Sequence, residues 1–310
     1  MDNVHRMNRD TSEEGPREVA LDMLGHVAGR GGAALRRFRE DVLEDLDRRL
    51  EKISSGISGE GFDPFGMDPE ALRRTAVSAS FLYKIYFRCK TRGLDNLPDG
   101  PMIIVANHAG QLPIDAVMIT TALMLEADPP RLARSMMDRW VPTLPFVATF
   151  YARNGVVLGS PENAMKLLNR GEALLVFPEG MAGITKTVDN AYRLQDFGLG
   201  FMRLSLATGA PIVPVGVIGS EEQYPTLYNL KDLGKALNLP SMPIWLQMAI
   251  PILGLLPLPV KYRLTFGEAM TFSGDPDDSD AVVGEKVDAV KERIGEMLNE
   301  SRAARRSVFW

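Results

Sequence analysis

The chain predicts an α/β fold, a layered domain with a central mostly parallel or mixed sheet flanked by helices and preceded by an N-terminal helical extension. Three observations point there. Short continuous apolar runs of strand length, such as MIIVA at 102–106, recur through the middle of the sequence. Segments of helical pattern lie between them, which is the alternation that builds parallel sheets. The chain has 310 residues, 45% hydrophobic and 24% charged, enough to bury a sizeable core and typical of a globular protein.

Taken in order, residues 16–55 place Leu35, Phe38, Val42, Leu46, Leu50 and Ile53 three and four apart with charged residues between them. That spacing gives one apolar stripe on a helix, for core cover or helix pairing. SSGISGEGFDPFGMDP at 54–69 is rich in turn residues and reads as a linker. The run at 102–106 reads as a fully buried strand and 115–125 as a helix. Further strands are expected at 131–136, 155–158, 173–177, 212–217 and 263–266. A helix at 161–170 has Pro161 at its start and Gly171 past its end, and another at 197–208 is closed by Gly209. A last helix at 280–304 is expected to bury Val282, Val287, Val290, Ile294 and Leu298. The domains expected are 1–69 as helical extension and linker, 70–273 as the α/β domain, and 274–310 as helix and tail.

Composition excludes several functions. A net charge of −5 argues against the basic footprint that nucleic acids require, so no nucleic-acid partner is expected. One cysteine and three scattered histidines, at 5, 26 and 108, leave no disulfide framework and no metal site of ordinary spacing. The first twenty residues lack the apolar core of a secretory signal, which predicts a cytoplasmic chain. Residues 236–260 carry no charge, yet prolines at 240, 243, 251, 257 and 259 interrupt them, and a spanning helix is not expected.

The chemistry gathers at strand ends. In open α/β sheets ligand groups collect beyond the carboxyl ends of the strands. His108 follows the strand at 102–106, and Glu179 follows the one at 173–177. A carboxylate beside a neutral imidazole makes a general base, because it orients the ring and stabilises the imidazolium that forms. Asp115, across a turn with Gly110 and Pro113, can fold back to do this, or can serve only as a helix N-cap.

NHAGQLPID followed by FPEG resembles the glycerolipid acyltransferase family, typified by the 1-acylglycerol-3-phosphate acyltransferases. Four blocks match in order: Asn107, His108 and Asp115; an arginine before a short strand, FYARNGVVLG, with Arg153; Phe177, Pro178, Glu179 and Gly180, continued to Lys186; and IVPVGVIG around Pro214. They span residues 76–272. The His-to-Asp interval is two residues longer than the family's usual one.

The resemblance implies an O-acyltransferase of lipid metabolism that moves a fatty acyl group from acyl-CoA or acyl-carrier protein to a hydroxyl of a lysophospholipid or glycerolipid. His108 and Asp115 would be catalytic, and no cofactor or metal is implied. Asn107, Arg153, Phe177, Pro178, Glu179, Gly180 and Lys186 would serve substrate: Arg153 and Lys186 for a phosphate, backbone amides near Gly180 for the oxyanion, Glu179 for acceptor hydroxyls or for bracing the loop. The substrate's apolarity implies a peripheral enzyme on the inner face of the cytoplasmic membrane. Residues 236–260 would contact lipid, line an acyl tunnel or pack as core, and Arg302, Arg305 and Arg306 beside Val308, Phe309 and Trp310 suit an anionic interface or a frayed tail. No GxSxG and no GxxxxGK[ST] occurs, which disfavours a serine hydrolase and nucleotide transfer. A non-catalytic lipid-binding scaffold is the remaining alternative.

Overall fold

A computed structural model describes residues 44–53, 61–110, 112–230, 243–249, 254 and 256–309. Contacts divide the chain into Met1–Asp45, of which residues 44 and 45 are described and helical, and Leu46–Trp310. The second unit holds the sheet together with residues 46–69 and the C-terminal helix.

Seven strands form one sheet: β1 (Lys90–Arg92), β2 (Met102–Ala106), β3 (Ala133–Met137), β4 (Val157–Leu158), β5 (Ala173–Val176), β6 (Ile212–Ile218) and β9 (Arg263–Phe266). Their order is β1-β9-β6-β2-β5-β3-β4. Every pair is parallel except β6 with β9, so the sheet is mixed and mostly parallel. β7 (Thr226–Asn229) and β8 (Pro243–Trp245) form a separate antiparallel ribbon.

β2 shows why the apolar run is continuous. Alternate residues of a strand face opposite sides. Met102, Ile104 and Ala106 enter one core with Leu46, Leu50, Leu72 and Met118, while Ile103 and Val105 enter a second with Leu167, Met202 and Ile294. A strand covered on both faces carries no polar alternation. The first core is covered by α1 (46–53), α2 (Pro69–Phe81) and α3 (Ile114–Leu125). The second is covered by α5 (Pro161–Asn169), α7 (Gly200–Thr208) and α8 (Asp280–Ala303). Two short helices complete the set: α4 (Val147–Arg153) and α6 (Gly180–Ile184).

The element boundaries follow local chemistry. The Ser160 hydroxyl accepts from Asn163 N at the start of α5, with Pro161 in its first turn. Gly209 ends α7 in the left-handed conformation expected of a closing glycine. Pro214 interrupts β6 without breaking the sheet, because it falls between the Ile212–Met270 bridge and the first regular β9 pair, Val215–Phe266.

Several expectations need correction. The stripe on α8 begins at Val283, which is buried, whereas Val282 is exposed. α2, β1, α4, α6 and the β7–β8 ribbon are not among the elements expected from the sequence. Leu46, Leu50 and Ile53 pack into the first core as the helical stripe requires, while Leu35, Phe38 and Val42 lie outside the described residues. In the linker, residues 54–60 are also outside them. Asp63 then folds the remainder, its Oδ1 accepting from Phe65 N and Met67 N, and Asp68 caps α2. Among the described residues no helix is long and apolar enough to cross a membrane, and no acidic, His or Cys group has metal-binding geometry.

Candidate active site

β2 lies between β5 and β6, and the chain crosses to opposite sides of it through α3 and α7. The crevice at the carboxyl ends of these strands receives three loops: 107–113 after β2, 177–179 after β5, and 219–225 after β6.

The first loop brings His108 and Asp115 together. Nδ1 of His108 lies 2.7 Å from Asp115 Oδ2, which also accepts from Ala109 N at 3.1 Å, while Oδ1 accepts from Ala116 N at 2.8 Å. Asp115 is wholly buried in the first turn of α3, whose N-cap is Pro113, so Asp115 is not the cap. The carboxylate beside Nδ1 fixes that nitrogen as the hydrogen-bonding one and leaves Nε2 without a partner among the described residues. The wider turn is closed by Gly110, at φ 90°, where a Cβ would stand 2.6 Å from Gln223 Nε2.

The second loop fixes the ring from the other side. Phe177 stacks on the imidazole at 4.2 Å between centroids and 23° between planes. Glu179 is buried and fully engaged. Its Oε1 accepts from His108 N at 2.9 Å, and its Oε2 accepts from Gln195 N at 2.8 Å and Lys186 Nζ at 3.2 Å. Of the two roles expected for Glu179, these three bonds match bracing the loop. Lys186 reaches Glu221 Oε1 at 2.8 Å as well, so it is neutralised by two carboxylates rather than open to a phosphate. Gly183 in α6 lies so close to the first loop that a Cβ there would be 2.8 Å from His108 O and 3.1 Å from His108 Cβ.

Other motif residues are placed away from substrate chemistry. Asn107 is buried and ties β2 to β6, donating to Val217 O at 3.0 Å and accepting from Val217 N at 2.8 Å. Both ends of its amide are thereby used, which corrects its expected role in binding. The Gly180 N–H donates to Phe177 O, so it is turned away from an oxyanion, and Pro178 O accepts from Gly198 N. Arg153 is exposed at the end of α4, beside Asp68 and ahead of β4, which places it toward the amino ends of the strands and not with His108.

The third loop supplies residues that motif reading missed. Glu221 accepts from Lys186 and from Tyr192 N, and Tyr192 OH accepts from Gly219 N at 2.9 Å. Burial pushes the Glu221 carboxyl above its ordinary value, since Lys186 is one charge shared with Glu179. The signal was present: Glu221 follows a buried strand, β6, as His108 and Glu179 follow theirs. A narrow cavity of about 10 Å³ lies among Ala109, Gly110, Gly183, Lys186, Val188, Glu221 and Tyr224. The larger cavity, about 260 Å³, is at the other end of the sheet around Arg131 and Arg134 and holds none of these groups.

The tail is also corrected. Arg302 lies over the Tyr192 ring at 4.9 Å, Arg305 forms a two-pronged pair with Glu222, and Lys261 N donates to Val308 O at 2.8 Å. Residues 302–308 are therefore built into the unit, and Trp310 lies outside the described residues. Of 236–260, the described part forms β8 and a 3-10 turn that leave Ile244, Leu246 and Met248 exposed.

The Acyltransferase family model matches residues 88–218, which contain the first three blocks and nearly all of the fourth. An uncharacterized protein of Mycobacterium tuberculosis is 38% identical over 258 residues, covering 80% of this chain and 71% of its own length. A counterpart in Mycobacterium leprae is 37% identical, covering 80% and 70%. A chloroplastic 1-acyl-sn-glycerol-3-phosphate acyltransferase of Brassica napus is 26% identical over 153 residues, 46% of this chain and 40% of that protein. The fold is similar to that of PlsC, the 1-acyl-sn-glycerophosphate acyltransferase of Thermotoga maritima, with a TM-score of 0.50 and 18% identity over 76% of this chain and 81% of that one. With the matched domain, the shared fold and the four ordered blocks, the chain belongs to the glycerolipid acyltransferase family.

Proposed function

We propose that this acyltransferase moves a fatty acyl group from a thioester, acyl-CoA or acyl-carrier protein, to a hydroxyl of a lysophospholipid or glycerolipid, with His108 as general base. The observation that carries the reading is the 2.7 Å contact from His108 Nδ1 to buried Asp115, under the Phe177 ring. With Nδ1 committed, Nε2 is the nitrogen that takes the acceptor's proton. The alkoxide oxygen attacks the thioester carbonyl and a tetrahedral adduct forms. Its collapse breaks the C–S bond, and the thiolate leaves with the proton returned from the imidazolium. Asp115 stabilises the imidazolium between those two transfers.

Exposed Leu112 in the first loop, with Leu227, Leu246 and Met248 on the β7–β8 ribbon, supplies the apolar surroundings an acyl chain requires and supports a peripheral enzyme on the cytoplasmic face of a membrane. Turnover separates this reading from a lipid-binding scaffold. Purified chain given an acyl-CoA and lysophosphatidic acid is expected to release free thiol, and His108→Ala to reduce that release by roughly 10² to 10⁴ with the melting temperature unchanged. Thiol release that survives in His108→Ala removes His108 as the base. No release from the wild-type chain with any lysolipid or glyceride acceptor favours the scaffold.

A further inference from the structure

Residues 139–153, RWVPTLPFVATFYAR, hold four aromatic side chains and two arginines with no carboxylate, in a chain that is 7% aromatic and carries a net charge of −5. Isolated apolar residues on a surface are ordinary, but this segment is not ordinary. Phe146 is 90% exposed and adopts φ 64°, the left-handed region that a bulky residue enters only at a cost. Nothing packed within the described residues offsets that cost. Phe150 N donates to Phe146 O at 3.0 Å, which places the half-exposed Phe150 ring one turn along, and exposed Arg153 follows three residues later on the same side. Arg139 is exposed at the other end of the segment.

We infer that this β3–β4 segment docks the protein on an anionic lipid surface, with Phe146 and Phe150 entering the headgroup–acyl boundary and Arg139 and Arg153 pairing with lipid phosphates. Aromatic rings flanked by arginines on a short helix are suited to that boundary, where one side is apolar and the other charged. The rest of the chain is net acidic and is repelled by an anionic bilayer, so local basic charge is needed to bring it close. A second copy of this chain is a poorer occupant. A two-fold contact through this patch sets exposed Phe146 and Arg153 against their own copies, with exposed Asp138 and Glu162 near Arg139 alone to receive an arginine. The surface is separate from the β7–β8 ribbon. It names the docking element for the peripheral enzyme proposed above, and binding can be measured apart from turnover.

The test uses the full chain with vesicles of phosphatidylcholine alone or with phosphatidylglycerol added. Wild type is expected to sediment with the anionic vesicles. Phe146→Asn with Phe150→Ser should weaken that partition at least about tenfold. Arg139→Gln and Arg153→Gln should each weaken it about fivefold on anionic vesicles and leave phosphatidylcholine unaffected. All four positions are exposed, so melting temperatures should hold, and thiol release from water-soluble short-chain substrates should be unchanged. In Phe146→Cys the new thiol should react rapidly with a maleimide in solution and slowly on anionic vesicles, against a slow background because burial pushes the Cys89 thiol up. Wild type that ignores anionic vesicles overturns the inference. So does partition unmoved by the paired Phe variants, protection of the introduced thiol in the absence of vesicles, or a wild-type dimer that those variants dissolve. Loss of thiol release from soluble substrates would count instead against the reaction.

Discussion

The two ends of the sheet both bury charge, and they do so for different ends. At the carboxyl ends Asp115, Glu179 and Glu221 are held by backbone N–H groups and one lysine; Asp115 meets the His108 ring, Glu179 holds the His108 backbone, and Glu221 shares Lys186 with Glu179. At the amino ends Arg131 donates to Pro98 O and Gly171 O. Arg134, 1% exposed, donates to Gly155 O at 2.7 Å and meets Asp63 at 2.6 Å and Glu172 at 2.7 Å. The second cluster ties β3, the 61–67 loop and the α5–β5 turn together around carbonyl oxygens, with its carboxylates paired to arginine. Burial of charge thus orients an imidazole at one end and closes the fold at the other. The polar residue that matters for chemistry is the one left with an unused lone pair.

Substitutions can break or sharpen this contrast. Beyond His108→Ala, the largest expected effect is at Arg134. Arg134→Met leaves buried Asp63 without its cation and Glu172 with Arg170 alone, and should lower unfolding free energy by about 3–5 kcal/mol in urea titration, with thiol release per folded molecule unchanged. Loss of turnover at equal stability would erase the difference between the two ends. Asp115→Asn keeps the volume but removes the charge that stabilises imidazolium, and a fall in kcat on the order of 10² or more is expected, with little change in KM. A variant that alters only KM would show that Asp115 serves binding.

Gly183→Ala probes the packing of the two site loops. A Cβ 2.8 Å from His108 O forces them apart, and about a tenfold loss in kcat with a cost of about 1–3 kcal/mol is expected. An alanine variant with wild-type kinetics would show that the loops tolerate the shift.

The smallest effect is at Glu221. Its carboxyl is raised above 4.5 by burial, so its contribution to stability is fully present below about pH 4.5 and is lost as pH rises through its folded-state value. Relative to Glu221→Gln, wild type should therefore lose melting temperature as pH is raised from 4.5 toward neutrality. A difference between the two that stays flat with pH would mean Lys186 compensates the charge in full.

Local patterns alone reached the α/β class, β2, α3, α5, α7 and β9, because strands covered on both faces read as unbroken apolar runs and helices carry their caps in adjacent residues. The same reading put His108 and Glu179 just past buried strands and Asp115 across the turn from His108, and the structure brings the three together. It did not reach the partners of Asn107, Lys186 and Arg153, at Val217, at Glu221 and near Asp68, which are set by pairings between distant segments. It passed over Glu221 and Gly183 for the same reason. α4 escaped it because its seven residues bury no side chain, and α2 escaped it although Asp68 and Pro69 mark its start.

The sequence by itself determined which strands lie at the centre and which residue types stand at their ends, because hydrophobic periodicity and turn chemistry act over a few residues. Only the tertiary structure decided which of those polar groups remain free. Satisfying a buried donor or acceptor depends on loops that close from opposite sides of β2, and the nitrogen of His108 left open is the outcome of that closure.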